Sequence, residues 1–243
     1  MPDPTGTGED ENVQVAVRVR PLSADELTKG CKPVVHKSPD APHISLRDHH
    51  QFTFDQVFPP HTHQSDVFTE CVKPLVDGVV NGRNATVLAY GQTGSGKTYT
   101  MGTGYGQGTL ENQGMLPRAT RYLFDYIARA KNDALLQGIP EPEFRIEVSF
   151  IELYNNSFYD LFDASSVDKK KSKIKVVGDA SRGVTVQGVV QFAVSSPSEI
   201  MALLDRGSLA RVTESTNMNQ FSSRSHAIFS LEVSHRRAVV PEV

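Results

Sequence analysis

The sequence predicts an α/β fold, a mixed central β-sheet flanked by helices, on three observations. The run Gly91-Gln92-Thr93-Gly94-Ser95-Gly96-Lys97-Thr98 fits the phosphate-loop pattern G-x-x-x-x-G-K-[ST] at every fixed position. An apolar, β-prone run, Ala85–Tyr90, precedes it, and Lys97-Thr98-Tyr99-Thr100-Met101 can continue it as a helix. Elsewhere, segments alternating with period two are interspersed with stripes at helical spacing.

The loop carries chemistry. Glycines let backbone N–H groups curl around a polyphosphate, a lysine meets the β- and γ-phosphates, and a threonine hydroxyl can ligate Mg²⁺. Gly91, Gln92, Thr93, Gly94, Ser95, Gly96, Lys97 and Thr98 are therefore the candidate nucleotide contacts, and Ala85–Tyr90 is expected as a buried strand leading into them.

The other elements follow in order. Residues 1–12 are acidic, rich in Gly, Pro and Thr, and aperiodic, which reads as a disordered tail. Val13, Val15, Val17 and Val19 alternate with polar or small neighbours and predict a strand over Asn12–Val19, stopped by Arg20-Pro21. Short β-prone pieces over residues 30–54 predict a small hairpin subsheet, with Phe52 and Phe54 facing the core. Residues 65–80 carry an apolar stripe at helical spacing, with a kink expected at Pro74. Pro117 opens a further helix. Phe144 to Tyr154 and Ala227 to Val233 alternate as strands. Ser196-Pro197-Ser198-Glu199 is a capping box for a helix running to about Gly207.

Composition narrows the function class. With 243 residues the chain suffices for one large α/β domain. A net charge of −3 gives no overall basic character for binding nucleic acid. Only Cys31 and Cys71 are present, outside any C-x-x-C, so reduced thiols are the simple reading. No apolar run is long enough to insert in a membrane. His36, His43, His49, His50, His61 and His63 match no ligand spacing with supporting cysteines.

A second polar cluster, Asn219-Gln220-Phe221-Ser222-Ser223-Arg224-Ser225-His226, stands just before the last strand. Alone it could cap that strand; in a phosphate-loop protein it reads better as the segment that senses the γ-phosphate. Together with Val17-Arg18-Val19-Arg20-Pro21-Leu22 and Phe54-Asp55-Gln56-Val57-Phe58, the two clusters make residues 13 to about 235 resemble the kinesin motor domain, in order and spacing as well as in motifs.

That resemblance implies a motor that binds and hydrolyses Mg-ATP to move along microtubules in the cytoplasm and cytoskeleton. It implies that Arg18, Arg20 and Pro21 pack against adenine and that Tyr99 faces the base. Lys97 would meet the phosphates and Thr98 the Mg²⁺. Asn219, Ser222, Ser223 and Arg224 match switch I, with Ser223 the second hydroxyl near Mg²⁺ and Arg224 paired with a switch II glutamate on closure. His226 would order the loop. Dimerisation would run through a stalk that this sequence does not contain.

No D-x-x-G follows the phosphate loop, so switch II is not found. Residues 13–243 therefore read as a partial motor domain lacking switch II and the family's C-terminal third, following the 1–12 tail. A truncated or non-motile module that binds nucleotide or tubulin, without ATPase activity of its own, is the alternative; a GTPase is disfavoured because no N-K-x-D follows to read guanine. Lys169-Lys170-Lys171-Ser172-Lys173 is either a solvated loop or a contact with tubulin's acidic surface.

Overall fold

In a computed structural model, residues 13–46, 50–103, 109–163, 174–179, 183–216 and 225–236 are described. The chain divides into two units, Met1–Val67 and Phe68–Val243.

In the first unit, strand β1 (Ala16–Arg18) runs parallel to β5 (Gln56–Phe58), with Val17 opposite Val57. Val57 and Phe58 are buried. The strand predicted over Asn12–Val19 is shorter than the alternation suggested, and Val13 and Val15 are exposed. Its partner is only three residues long, so the ladder cannot extend. Before Ala16 the backbone is met by two residues: Val15 N–H donates to Asp55 Oδ2 at 2.7 Å, and Asp55 N–H and Gln56 N–H donate to the Val15 carbonyl at 3.1 and 3.5 Å.

Helix α1 (Ala24–Thr28) was not anticipated, although its capping box is written in the sequence. Ser23 Oγ accepts from Glu26 N–H, and Ser23 N–H donates to Glu26 Oε2 at 2.8 Å. The subsheet expected over residues 30–54 forms as β2 (Val35–Lys37), β3 (His43–Leu46) and β4 (His50–Thr53), all antiparallel. Only its middle strand contributes to the core, through Ile44. Phe52, expected to face the core, lies on the outer strand and is exposed; Phe54, beyond the strand's end, is half-buried. Helix α2 (Gln64–Val67) closes the unit.

The second unit begins with a π turn, Phe68–Val72, followed by α3 (Lys73–Val80) with Pro74 in its first turn. A proline has no N–H to give and its ring crowds the carbonyl four residues back, here Glu70. The wider π turn contains that carbonyl, so the break expected at Pro74 falls just before it.

Ala85–Tyr90 departs from the sequence reading. It is extended but joins no ladder among the described residues, and Val87, Leu88 and Tyr90 are exposed, Tyr90 by 96%. The residue pattern suits a buried strand, but a strand is stabilised by its neighbours, and no described strand pairs with this one.

Beyond the phosphate loop come α4 (Lys97–Met101), a 3₁₀ turn (Leu110–Asn112) and the long α5 (Met115–Gln137). Helix α5 starts two positions ahead of Pro117 and buries Met115, Pro117, Thr120, Leu123 and Ile127 along one stripe. The sheet is built on β6 (Glu143–Tyr154). It pairs along its length with β11 (Ser225–Arg236) and, on its other edge, with β7 (Ser157–Asp160) and β10 (Phe192–Val194), all antiparallel. The turn into β7 uses Asn155 and Asn156 at φ 47° and 59°, the paired left-handed conformation that two-residue hairpins favour. A separate hairpin joins β8 (Lys175–Asp179) to β9 (Gly183–Gln187).

Ile146, Val148 and Phe150 alternate inward from β6 and meet Val80 of α3, Leu123 and Ile127 of α5, and Ile200 and Leu204 of α6 (Pro197–Thr216) in one core. Each such side chain stabilises the fold by ~1.5–3 kcal/mol relative to exposure. An aromatic group adds to this layer. Phe229 and Phe162 lie edge-on to Phe150 at 5.2 and 6.2 Å, Phe192 lies edge-on to Phe162 at 5.3 Å, and the Arg206 guanidinium sits 5.4 Å from the Phe192 ring.

Gly207, read as the end of this helix, lies well inside α6. A Cβ there would come within 2.8 Å of Phe150 Cε1, so the glycine is kept for the ring that packs on it. The predicted helix start holds: Ser196 Oγ accepts from Glu199 N–H at 3.3 Å. Among the described residues no helix is long and apolar enough to cross a membrane, and no group of three or more His, Cys, Asp and Glu could hold a metal ion.

Candidate functional site

The phosphate loop lies between the extended Ala85–Tyr90 and α4. Gly94 and Gly96 have φ of 78° and 100°, the left-handed region that side-chain-bearing residues avoid. They turn the chain sharply twice in three residues, while Ser95 N–H donates to the Gln92 carbonyl at 3.2 Å. Such alternation is how consecutive backbone N–H groups come to face an anion. Lys97 Nζ donates to the carbonyls of Gly91 at 2.7 Å and Gln92 at 2.9 Å, folding the ammonium back over its own loop. An ammonium has three donors, so these bonds leave one for an incoming anion. Thr98 and Tyr99 are exposed on α4. The donor set of the loop, backbone amides with one cation and a hydroxyl, fits a polyphosphate with Mg²⁺.

Helix α4 is one short turn. Thr100 N–H donates to the Gly96 carbonyl and Gly102 N–H to that of Thr98, both at 2.9 Å. Gly102 caps it at φ 75°. There its backbone meets Gly114, the residue before α5, so closely that a Cβ on Gly114 would lie 2.5 Å from Gly102 Cα.

Of the residues matched to the base, Arg18, Arg20 and Pro21 fall in the first unit and Tyr99 in the second. Arg18 donates to Gln64 Oε1 at 2.6 Å and to the Thr62 carbonyl at 3.1 Å. Arg20 forms a two-pronged pair with Glu26, at 2.7 and 2.6 Å, and donates to the Pro21 carbonyl at 3.0 Å. The Arg20 guanidinium, with help from Ser23 N–H, pulls the Glu26 carboxyl down to about 2, and the carboxylate raises Arg20 in turn. Gln64 and Glu26 were not singled out from the sequence. The Ser23-to-Glu26 spacing was a usable signal for Glu26; nothing comparable marked the buried Gln64.

Asn219, Ser222, Ser223 and Arg224 lie outside the described residues, as does Lys169–Lys173. The position that follows the first group is described. Arg211 of α6 donates Nε–H to the buried Glu152 of β6 at 3.0 Å, and NH2 to the Ser225 carbonyl and Oγ at 3.1 and 2.9 Å. One guanidinium thus fixes the residue that follows Arg224. His226, next on β11, pairs with Leu153 in the ladder and is exposed. Neither Arg211 nor Glu152 stood out in the sequence, because a single buried pair between a helix and a strand leaves no periodic trace.

A mixed α/β architecture carrying a left-handed glycine turn, an ammonium folded over it and a following helix defines a phosphate-loop protein. The kinesin motor domain model matches residues 18–241, and the chain belongs to that family. It is 41% identical over 242 residues to human kinesin-like protein KIF21A, covering 98% of this chain and 14% of that protein. It is 44% identical over 251 residues to rice (Oryza sativa subsp. japonica) kinesin-like protein KIN-4A, covering 96% and 23%. A solved fast-kinesin structure superposes with a TM-score of 0.79 at 34% identity, covering 92% of this chain and 60% of that one. The chain therefore spans between about a seventh and a quarter of these two relatives' length.

Proposed function

We propose that this chain is the nucleotide-binding part of an ATP-driven microtubule motor, with residues 13–243 forming a partial motor domain after the 1–12 tail. The observation that carries the reading is the phosphate loop: a full G-x-x-x-x-G-K-T match, two left-handed glycines and Lys97 held over the loop, in a chain of the kinesin family. Gly91 to Lys97 cradle the polyphosphate, and Lys97 neutralises the charge that builds on it. Thr98 and Ser223 are the hydroxyls that would hold Mg²⁺, which when bound neutralises charge on the phosphate oxygens. Asn219, Ser222 and Arg224 sense the γ-phosphate, and Arg18, Arg20, Pro21 and Tyr99 receive the base. Microtubules are the partner, which places the protein in the cytoplasm on the cytoskeleton, and Lys169–Lys173 contacts tubulin's acidic face.

The test is microtubule-stimulated phosphate release from Mg-ATP by an intact motor domain that contains this chain together with switch II, and by its Lys97→Ala variant. The reading predicts turnover in the first and its loss in the second; equal turnover in both would remove the loop from the chemistry. A second reading, a module that binds nucleotide or tubulin without hydrolysis, is favoured by Ala85–Tyr90, which leads into the loop without joining a ladder among the described residues. Nucleotide binding without stimulated turnover would select it.

A further inference from the structure

We infer that Gly114 and Arg118 are positioning residues for the phosphate loop, holding α4 in register through a backbone contact on Gly102; the inference rests on the nucleotide reading of that loop. Helix α5 is anchored by the buried Met115, Pro117, Thr120 and Leu123, so its first residues have a fixed place. Gly114 caps its start without any side-chain bond. Its backbone lies directly against the end of α4. A Cβ on Gly114 would come within 2.5 Å of Gly102 Cα and 2.6 Å of the Met101 carbonyl carbon, and one on Gly102 within 2.8 Å of Gly114 Cα and 3.0 Å of Pro117 Cδ. Two glycines are thus needed for one contact, in addition to the left-handed φ that Gly102 requires as a cap.

Arg118 fixes the approach to Gly114 from the other side. Its Nε–H donates to the Gln113 carbonyl at 2.8 Å, and its NH2 to the carbonyls of Leu110 and Glu111 at 3.1 and 3.0 Å. The neighbouring Arg121 binds the Gln113 side chain. A single guanidinium therefore gathers three carbonyls of the returning chain, which a lysine cannot do in one geometry.

The consequence reaches Lys97. Helix α4 spans Lys97–Met101, so at ~1.5 Å per residue only ~7 Å of helix separates the glycine contact from the phosphate-binding lysine. A methyl group at Gly114 would demand ordinary contact of ~3.5 Å in place of 2.5 Å. Helix α5 cannot yield without opening the core, so α4 moves by ~1 Å and carries Lys97 with it. Misplacement by ~1 Å in a polar site costs on the order of 100-fold in function.

The experiment compares Gly114→Ala, Arg118→Ala and Arg118→Lys with Gly138→Ala. Gly138 caps the far end of the same helix at φ 66°, with open space around it, so its variant destabilises α5 without touching α4. Two readouts are taken on the full chain: hydrogen exchange at the Thr100 and Gly102 amides, and affinity for a fluorescent N-methylanthraniloyl-ATP with Mg²⁺. Gly114→Ala is expected to speed exchange at both amides and weaken the analogue ~10- to 100-fold. Arg118→Ala acts in the same direction, and Arg118→Lys restores little. Gly138→Ala lowers the melting temperature and leaves both readouts unchanged. Wild-type exchange in folded Gly114→Ala, unchanged affinity despite faster exchange, or equal effects from Gly138→Ala would overturn the inference. If Gly114→Ala does not fold, the Arg118 pair decides by the same criteria. A wild-type chain that ignores the analogue overturns the nucleotide reading and the affinity clause with it, while the exchange comparison still decides the backbone contact.

Discussion

Arg211 and Glu152 form an ion pair whose carboxylate is buried: the two lie 3.0 Å apart, with Glu152 6% and Arg211 27% exposed at the side chain. Because Arg211 also holds Ser225, the pair joins α6, β6 and the start of β11. Removing one partner leaves a buried charge uncompensated, which typically costs ~3–5 kcal/mol. Arg211 is partly solvated, so Arg211→Ala is expected to lose ~2–3 kcal/mol in urea unfolding. Arg211→Met combined with Glu152→Leu should recover most of that loss. Equal instability in the single and double variants would assign the effect to lost packing instead.

Lys97 gives a prediction on binding. Its bonds to Gly91 and Gln92 are exposed or half-buried, so Lys97→Ala should change the melting temperature of the nucleotide-free chain little. Mg-ATP affinity should fall by ~2–3 kcal/mol, the worth of hydrogen bonds to a charged group, or roughly 30- to 150-fold. Calorimetric titration of both chains reads this directly. A large loss of stability with affinity kept would make Lys97 a structural clamp.

Gly207 is a packing prediction. A methyl group there meets the Phe150 ring, and an overfilled core costs ~1–3 kcal/mol. Gly207→Ala should lower the melting temperature despite alanine's better helix propensity. The double variant Gly207→Ala with Phe150→Leu should regain part of it. A more stable Gly207→Ala would mean that the ring moves aside freely.

Glu26 sets a pH dependence. Its carboxyl is lowered from an ordinary 4.5 to about 2, chiefly by the Arg20 guanidinium. A depressed acid contributes stability that is present above its unfolded value and is lost as pH falls through the folded one. The contribution is therefore whole above about 4.5 and disappears towards about 2. In Glu26→Gln the stability slope across that window should flatten, and the wild-type carboxyl should titrate near 2 by carbon NMR. A midpoint near 4.5 would show that the pair does not persist in solution.

How far the sequence could be read follows from where each element gets its stability. The phosphate loop and strands β6 and β11 were legible because motif spacing and two-residue alternation are local properties. Helix α6 was read too short because a glycine signals a stop, whereas at Gly207 the contact with Phe150 outweighs propensity. Ala85–Tyr90 was misread for the opposite reason: its residues suit a strand, but a ladder needs a partner that a pattern cannot supply. Of the site, the loop was visible residue by residue, but the supports around it were not. The Gly102–Gly114 contact and the Arg211–Glu152 pair join residues distant in sequence and unremarkable one at a time.

The extended Ala85–Tyr90 also bears on how the chain survives handling. An open, solvent-facing run is the shape that a protease cleft accepts, and Leu88 and Tyr90 are 81% and 96% exposed. Chymotrypsin, which cuts after large apolar and aromatic residues, should cleave there early. The phosphate loop would then stand at a newly made amino terminus, its Gly91 carrying a free charge beside the ammonium of Lys97, and a preparation clipped in this way would contain every loop residue yet hold phosphate in an altered field.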